Sequence, residues 1–142
     1  MSQKFFTNIV KVHADRGQVR RILQNPKHLL EWVSEIDSVV QDDQKFIITR
    51  KEHTFNHHET ITVELKTNSI IYLSTEGKFK YRIIFTVNSE DDHSIIQEDV
   101  YLTQEDNAFL PLKLLKPIAK HAFNTNLNNL ALLIEKIDNF KD

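Results

Sequence analysis

The sequence contains no cysteine and only two glycines and three prolines. Without cysteine the chain has no disulfide framework and no thiolate ligand for a metal, which is typical of proteins from reducing compartments. Loops that cradle phosphates need several glycines close together, whereas Gly17 and Gly77 are widely separated. These absences exclude a disulfide scaffold and a glycine-rich nucleotide site.

The sequence also lacks long apolar runs and an excess of charge. No apolar stretch reaches membrane-spanning length, and residues 1–12 contain no apolar run typical of a signal peptide. We therefore expect a cytoplasmic protein with no integral membrane association. The formal net charge is −2 and the charges are interspersed, so we expect no nucleic-acid partner.

Motifs for catalysis and metal binding are missing too. The histidines show no HExxH spacing, and no serine lies in a glycine-flanked nucleophile elbow. We expect no cofactor and no metal. With 142 residues, 40% of them hydrophobic and 27% charged, the chain has the composition of one globular domain spanning residues 1–142. We expect a monomer or a weak homodimer.

The segment Leu110–Ile137 has the strongest pattern in the chain. An advance of 100° per residue places its apolar side chains on one stripe, which predicts an amphipathic helix of about seven turns. The stripe comprises Leu112, Leu115, Ala119, Phe123, Leu127, Leu130, Leu133, Ile134 and Ile137. Because Pro117 lacks a backbone N–H, the regular helix is predicted to begin near Lys116, after a separate turn at Leu112–Leu115.

The beginning of the chain predicts a strand and two short helices. Alternating residues predict a strand over Phe5–His13. The spacing of Asp15 and Gln18 is that of a capping box, which starts a first helix. Asn25 and Pro26 end that helix and start a second one, with asparagine as the cap and proline at the first helical position.

Period-two alternation predicts six further strands separated by short polar turns. They cover residues 36–40, 46–52, 55–66, 70–76, 78–88 and 93–103. The facing of residues 46–52 and 70–76 is undecided. Tight turns require antiparallel pairing, and a meander with one apolar face needs a cover. We predict an α+β fold in which a curved antiparallel sheet of about six or seven strands wraps around the long C-terminal helix.

Two segments carry a resemblance to a known family. VKVHADRGQVRRILQNPKHLLEWVSEID has a strand, a capped helix, an Asn-Pro break and a tryptophan near the end of the second helix. LPLKLLKPIAKHAFNTNLNNLALLIEKI is the closing helix. Together they resemble the START and birch-pollen-allergen superfamily, called SRPBCC, which has a helix-grip fold.

The resemblance implies a deep pocket between the sheet and the long helix. Members of the superfamily bind lipids, sterols, polyketides, hormones or quinones, and a minority are cyclases or hydrolases. The glycine-rich loop of the plant members is absent, since Lys51–Asn56 contains no glycine. This difference favours the smaller, bacterial polyketide cyclase/dehydrase-like branch.

Polar residues on apolar faces are the first candidates for a ligand site. Asn126 interrupts the helix stripe, and it would either hydrogen-bond a ligand or bond a strand carbonyl or water. His57 and Glu59 share a parity with apolar residues, so they would either line the cavity as acid–base groups or lie at its open rim. His57 and His58 are adjacent in a strand and cannot both bind one metal ion.

Glu98 and Arg50 also lie among apolar residues of the same parity. They would form a buried ion pair across the pocket, meet a polar ligand group, or lie in solvent after a register slip. Trp32 and Tyr81 are aromatic residues with a polar tip, suited to a pocket wall but also to an ordinary core. The other cavity candidates are the apolar Phe85 and Phe123.

These features predict a protein that binds a small hydrophobic or amphipathic molecule, such as a lipid, polyketide or quinone-like compound. One alternative is a polyketide cyclase or dehydratase that uses His57, Glu59 or Glu98 for acid–base chemistry. Another is a protein-interaction module without a ligand. Its surface would be the apolar residues off the helix stripe, Leu114, Ile118 and Leu132.

Overall fold

In the computed structural model, residues 2–52, 54, 56–103 and 105–139 are described, without the side chains of Ser2 and Asn139. The strands are β1 (Ser2–Val12), β2 (Ile36–Asp42), β3 (Lys45–Arg50), β4 (His58–Leu65), β5 (Ser69–Thr75), β6 (Tyr81–Glu90) and β7 (His93–Thr103). The helices are α1 (Arg16–Leu23), α2 (Leu29–Trp32) and α3 (Leu112–Asn139). The described residues therefore have the predicted order of elements.

The strands form one antiparallel sheet in the order β1-β7-β6-β5-β4-β3-β2. Strands β2 to β7 are a meander, and β1 pairs with β7. The helices α1 and α2 connect β1 at one edge to β2 at the other. The long helix α3 packs against β1, α1 and α2, so it covers the concave face of the sheet. This arrangement confirms the predicted α+β fold.

Side-chain alternation shows which face of each strand is inward. Even-numbered residues of β3 and β5 are buried, which settles the facing of the two strands that the sequence left undecided. In β1 the adjacent residues Phe5 and Phe6 are both buried, because a bulge between Lys4 and Phe6 shifts the register against β7.

The caps predicted for the first two helices are present. The Asp15 carboxylate accepts a hydrogen bond from the Gln18 N–H at 2.8 Å, at the start of α1. Asn25 caps a short 3-10 turn, Pro26–His28, by accepting from the Lys27 N–H at 3.1 Å. This turn leads directly into α2, which places Trp32 against the sheet.

The predicted break before Lys116 is wrong, because α3 is continuous from Leu112 with Pro117 inside it. Pro117 removes the hydrogen bond to the carbonyl of Lys113, four residues earlier. Both residues are exposed, and an exposed carbonyl can bond to water instead, so the helix continues. Among the described residues, no helix is long and apolar enough to cross a membrane.

Some apolar side chains of α3 face outward. Leu114, Ile118 and Leu132 are 72%, 62% and 65% exposed, as the helix stripe predicts for residues outside it. The exposed surface on which the interaction-module alternative depends is therefore present.

Two buried asparagines hold the loop between β5 and β6. Asn56 donates to the Phe79 carbonyl and accepts from the Phe79 N–H, both at 2.7 Å. Asn107 makes the same pair of bonds with Lys80, at 3.0 and 2.9 Å. Each side-chain amide makes the two backbone hydrogen bonds that a neighbouring strand would otherwise make. The loop is therefore bound by one asparagine at Phe79 and by the other at Lys80.

The asparagine contact explains why residue 77 is glycine. A Cβ atom at Gly77 would lie 2.6 Å from Cγ of Asn56, closer than carbon atoms pack. We expect Gly77→Ala to displace the Asn56 amide and to lower the free energy of unfolding by about 1–3 kcal/mol, measured by urea denaturation. In an Asn56→Ala background the same change should cost much less, because the obstructing amide is gone. An equal cost in both backgrounds would contradict the explanation.

Candidate functional site: a cavity between the sheet and the long helix

The concave face of the sheet and α3 enclose a cavity with two adjoining parts. The outer part, called the vestibule, has a volume of about 260 Å³ and lies between α3 and the loops after β3 and β5. The inner part, called the inner chamber, has about 30 Å³ of free space, which is room for one water-sized group. Both parts are lined by Glu35, Arg50, Tyr81 and Phe123.

A polar network centred on Arg50 forms one wall of the cavity. The Arg50 Nε donates to the Glu59 carboxylate at 2.5 Å, and Nη1 forms a second ion pair with Glu35. The Nη2 atom lies 3.3 Å from the Tyr81 hydroxyl. The side chain of Glu59 is fully buried, and a buried carboxylate is stable only when it has such partners.

The other oxygen of Glu59 receives two hydroxyl groups. The Tyr81 hydroxyl donates to Oε2 at 2.9 Å, and Ser74 Oγ donates to the same oxygen. The Arg50–Glu59 pair therefore joins residues from the five consecutive strands β2 to β6, counting the residue just before β2. They are Glu35, Arg50, Glu59, Ser74 and Tyr81.

Interactions within the network keep Arg50 and Tyr81 protonated. Burial alone would lower the pKa of the Arg50 guanidinium, but the interactions with Tyr81, Glu59 and Glu35 outweigh burial and raise that pKa above its ordinary value. Burial and the nearby Glu59 carboxylate raise the pKa of Tyr81 well above its usual range. Arg50 is thus a permanent cation, and Tyr81 remains a neutral hydrogen-bond donor.

Glu98 lines the inner chamber in a different environment. Its side chain accepts one hydrogen bond, from Asn8 Nδ2 at 3.2 Å, and the same Asn8 atom lies 3.2 Å from the Lys120 carbonyl of α3. Burial raises the pKa of Glu98 to about 8, against the lowering effect of the Asn8 hydrogen bond. At neutral pH the folded protein therefore holds Glu98 largely protonated.

Aromatic rings support the inner chamber from below. Phe85 is fully buried. Its ring packs edge-on against the rings of Trp32 and Tyr72, with centroid distances of 6.4 and 5.2 Å. The Tyr72 hydroxyl donates to the Leu23 carbonyl at the end of α1. This cluster fixes the position of Trp32, whose ring lines the chamber.

The helix α3 forms the roof with Phe123 and Asn126. The Phe123 ring is edge-on to Tyr81 at 5.6 Å and to Phe6 at 5.3 Å. Asn126 is half-buried, and its amide makes no hydrogen bond with the described residues. The roof is therefore apolar except for one free amide.

Comparison with known proteins gives no match by sequence and many by structure. No protein-family model and no curated protein matches this chain. A START superfamily protein from Mycobacterium smegmatis superposes with a TM-score of 0.72 at 14% identity, over 93% of this chain and 97% of that one. A point mutant of norcoclaurine synthase from Thalictrum flavum, in complex with a transition state analogue, gives 0.72 at 14% identity, over 97% of each chain.

A third similar structure is the di-domain ARO/CYC StfQ from the steffimycin biosynthetic pathway. Its TM-score is 0.74 at 10% identity, over 98% of this chain and 53% of that chain. This chain has the START-like helix-grip fold. The resemblance predicted from the sequence, to START, birch-pollen-allergen and polyketide-cyclase proteins, is thus confirmed at the level of fold. Identities this low establish no activity.

The helix-grip cavity brings together six of the nine residues that the sequence proposed for it. They are Trp32, Arg50, Tyr81, Glu98, Phe123 and Asn126. Glu59 lies behind them, bound to Arg50 and Tyr81. Phe85 packs beneath Trp32 and supports the wall instead of forming it.

His57 lies outside the cavity. The strand β4 begins at His58, so His57 precedes the strand and is exposed, with its ring against that of His58 at 4.3 Å. Phe55, the predicted start of this strand, lies outside the described residues, as does His53. Within the described part of the chain, no three His, Asp or Glu side chains are grouped to hold a metal ion.

The ion pair considered between Arg50 and Glu98 does not form. In the helix-grip sheet β3 neighbours β4, whereas β7 lies four strands away, so Arg50 pairs with Glu59. Sequence reasoning also missed Glu35, Asn8 and Ser74. Asn8 shares the inward parity of Phe6 and Val12 and was therefore detectable, but Glu35 follows α2 outside any repeating pattern.

The raised pKa of Glu98 predicts a dependence of stability on pH. Between pH 4.5, the ordinary pKa, and about pH 8, the folded state keeps a proton that the unfolded state releases. The free energy of unfolding should therefore fall as pH rises through this window. Glu98→Gln removes the titrating group. The free energy of unfolding of this variant minus that of the natural protein should therefore increase from about pH 4.5 to about pH 8 and then level off. Urea denaturation across this range checks it, and a constant difference between the two proteins would contradict it.

Proposed function

We propose that this protein binds a small, mainly apolar organic molecule in the cavity between the sheet and α3. The observation that carries the proposal is the adjoining vestibule and inner chamber, whose walls combine apolar side chains with a few buried polar groups. Small-molecule sites have this composition. The fully formed network around Arg50 gives the polar part of the wall a fixed geometry before any ligand enters.

The size of the cavity restricts the ligand. A vestibule of about 260 Å³ leading to a chamber of about 30 Å³ is at the lower end of the range for small-molecule sites, roughly 300–1,000 Å³. A compact ligand of one or two rings, or a medium-length aliphatic chain, fits better than a sterol or a phospholipid. One of the structures with this fold, norcoclaurine synthase, holds a transition state analogue, so a protein of this fold does accept a small organic molecule.

Narrowing the vestibule tests the binding site. Ala122 and His121 are adjacent, exposed residues of α3, but Ala122 lines the vestibule and His121 does not. We expect Ala122→Phe to weaken binding of apolar probes such as 2-octanone by about tenfold or more, because the new ring occupies the path of the ligand. His121→Phe, the same new side chain one residue away, should leave affinity unchanged. Isothermal titration calorimetry measures both.

Two outcomes would contradict the proposal. The first is that none of a panel of lipids, polyketide-like ketones and quinones raises the thermal unfolding temperature or gives a heat of binding. The second is binding that Ala122→Phe and His121→Phe weaken equally, which would place the ligand outside the vestibule.

A second candidate is an enzyme that cyclises or dehydrates a polyketide-like substrate. The observation that favours it is Glu98, a carboxyl group in the inner chamber whose pKa of about 8 suits proton transfer near neutral pH. We expect such an enzyme to convert a poly-β-ketone thioester to a cyclised or dehydrated product, detected by mass spectrometry, and Glu98→Gln to abolish the conversion. Unchanged substrate, or conversion equal in Glu98→Gln, would contradict this role.

A further inference from the structure

Three polar groups of the inner chamber have hydrogen-bonding capacity that the described residues do not use. The indole N–H of Trp32 is buried and has no acceptor among those residues. Asn126 makes no side-chain hydrogen bond with them, and Glu98 makes one, from Asn8. A buried N–H without an acceptor is unfavourable, so a group that supplies the acceptor is bound favourably.

The chamber is suited to one small group. With about 30 Å³ of free space it accommodates one oxygen and the carbon that bears it, and not a charged head group with its hydration shell. Trp32 offers only a donor, Asn126 offers both donor and acceptor, and a protonated Glu98 offers an O–H and acceptor capacity. An oxygen that accepts hydrogen bonds matches all three residues.

Charge in the cavity selects against an anion, and the Trp32 N–H selects against a cation. Arg50 is the only cationic side chain lining the vestibule or the chamber among the described residues, and its pairs with Glu59 and Glu35 already neutralise it. An anionic head group would therefore meet an excess of carboxylates. A cationic head group would leave the Trp32 N–H without an acceptor.

We propose that the inner chamber is a subsite for one uncharged oxygen, a ketone or a hydroxyl, at the leading end of an otherwise apolar ligand. This inference rests on the proposed binding function and adds the chemical class of the ligand. Trp32, Glu98 and Asn126 would bind the oxygen, while the vestibule holds the hydrocarbon part.

The surroundings of Glu98 determine how this subsite responds to pH. The charged and titratable groups that line the chamber with it are Glu35, Arg50, Tyr72 and Tyr81. Glu59 is bound to Arg50 and Tyr81, Asp99 is adjacent in the chain, and Lys120 of α3 contributes a backbone carbonyl that accepts from Asn8. Lys120 directs its Nζ to the Thr7 carbonyl at 3.1 Å, and Lys4 lies 3.4 Å from Asp99. Both cations are thus engaged away from the chamber. When Glu98 ionises it loses its O–H, so a ketone loses a donor, while a hydroxyl can still donate to the carboxylate.

The test compares four probes with the same eight-carbon body: 2-octanone, 1-octanol, octanoate and octylamine. Trp32 is the sole tryptophan of the chain, so its fluorescence reports on the chamber directly, and calorimetry gives the affinity. At about pH 6 we expect the ketone and the alcohol to bind, to shift the Trp32 emission, and to bind about tenfold more tightly than either ion.

Variants separate the oxygen subsite from simple apolar binding. At about pH 9.5 the ketone should bind the natural protein several-fold more weakly than at about pH 6, the alcohol should change less, and Glu98→Gln should remove the pH effect on the ketone. Asn126→Leu should weaken both neutral probes. The matched control is Asn128→Leu, because Asn128 is exposed on the same helix. This variant should change neither affinity.

Other outcomes would overturn the inference. Octanoate or octylamine binding as tightly as the neutral probes would exclude an uncharged oxygen subsite. Neutral probes that bind without shifting the Trp32 emission would place them in the vestibule alone. In both cases the binding function stands and the subsite does not, whereas no heat and no fluorescence change with any probe would contradict both.

Discussion

The buried ion pair between Arg50 and Glu59 is the interaction on which the cavity depends. It joins adjacent strands β3 and β4, and its neighbours Glu35, Ser74 and Tyr81 extend it from β2 to β6. Each partner alone would be a buried charge without compensation, and breaking such a pair typically costs about 3–5 kcal/mol. Every member must therefore remain in place, which makes this wall of the cavity rigid.

The two asparagine contacts at the mouth have a related effect. Asn56 and Asn107 fix the backbone of Phe79 and Lys80 from opposite sides. Phe79 lines the vestibule and its ring stacks on Tyr81 at 5.3 Å. The position of the vestibule wall is thus set by backbone hydrogen bonds and, through Tyr81, by the Arg50 network.

The inner chamber differs from this satisfied network because it contains polar groups without hydrogen-bond partners among the described residues. Polar groups in a core are normally paired, so each unpaired one calls for an explanation, and a ligand is one such explanation. The indole N–H of Trp32 and the side-chain amide of Asn126 have no hydrogen-bond partner among the described residues, and Glu98 retains a proton because burial opposes its charge. The polar groups around Arg50 are all hydrogen-bonded, whereas those of the inner chamber have unused donors and acceptors. This contrast indicates a ligand with a polar end.

Periodicity allowed the fold and the inward direction of many side chains to be predicted from the sequence. Arg50, Glu59 and Glu98 share parity with buried apolar residues, so the pattern made them candidates for burial but left exposure to solvent open. Their partners did not follow from the pattern, because pairing depends on strand order and register: parity cannot show that Arg50 neighbours β4 and not β7. His57 was treated as a strand residue, whereas β4 begins at His58. Cavity volume could not be predicted, because it depends on how all the side chains pack together and not on the periodicity of any one segment.

The most direct measurement is the indole N–H resonance of Trp32 in a ¹⁵N–¹H NMR spectrum during titration with 2-octanone. Since the chain has one tryptophan, the assignment of this signal is unambiguous. If a neutral oxygen enters the inner chamber and accepts a hydrogen bond from the indole, the resonance should move downfield in proportion to occupancy. An indole resonance that stays in place while signals from the vestibule shift to saturation would contradict the account.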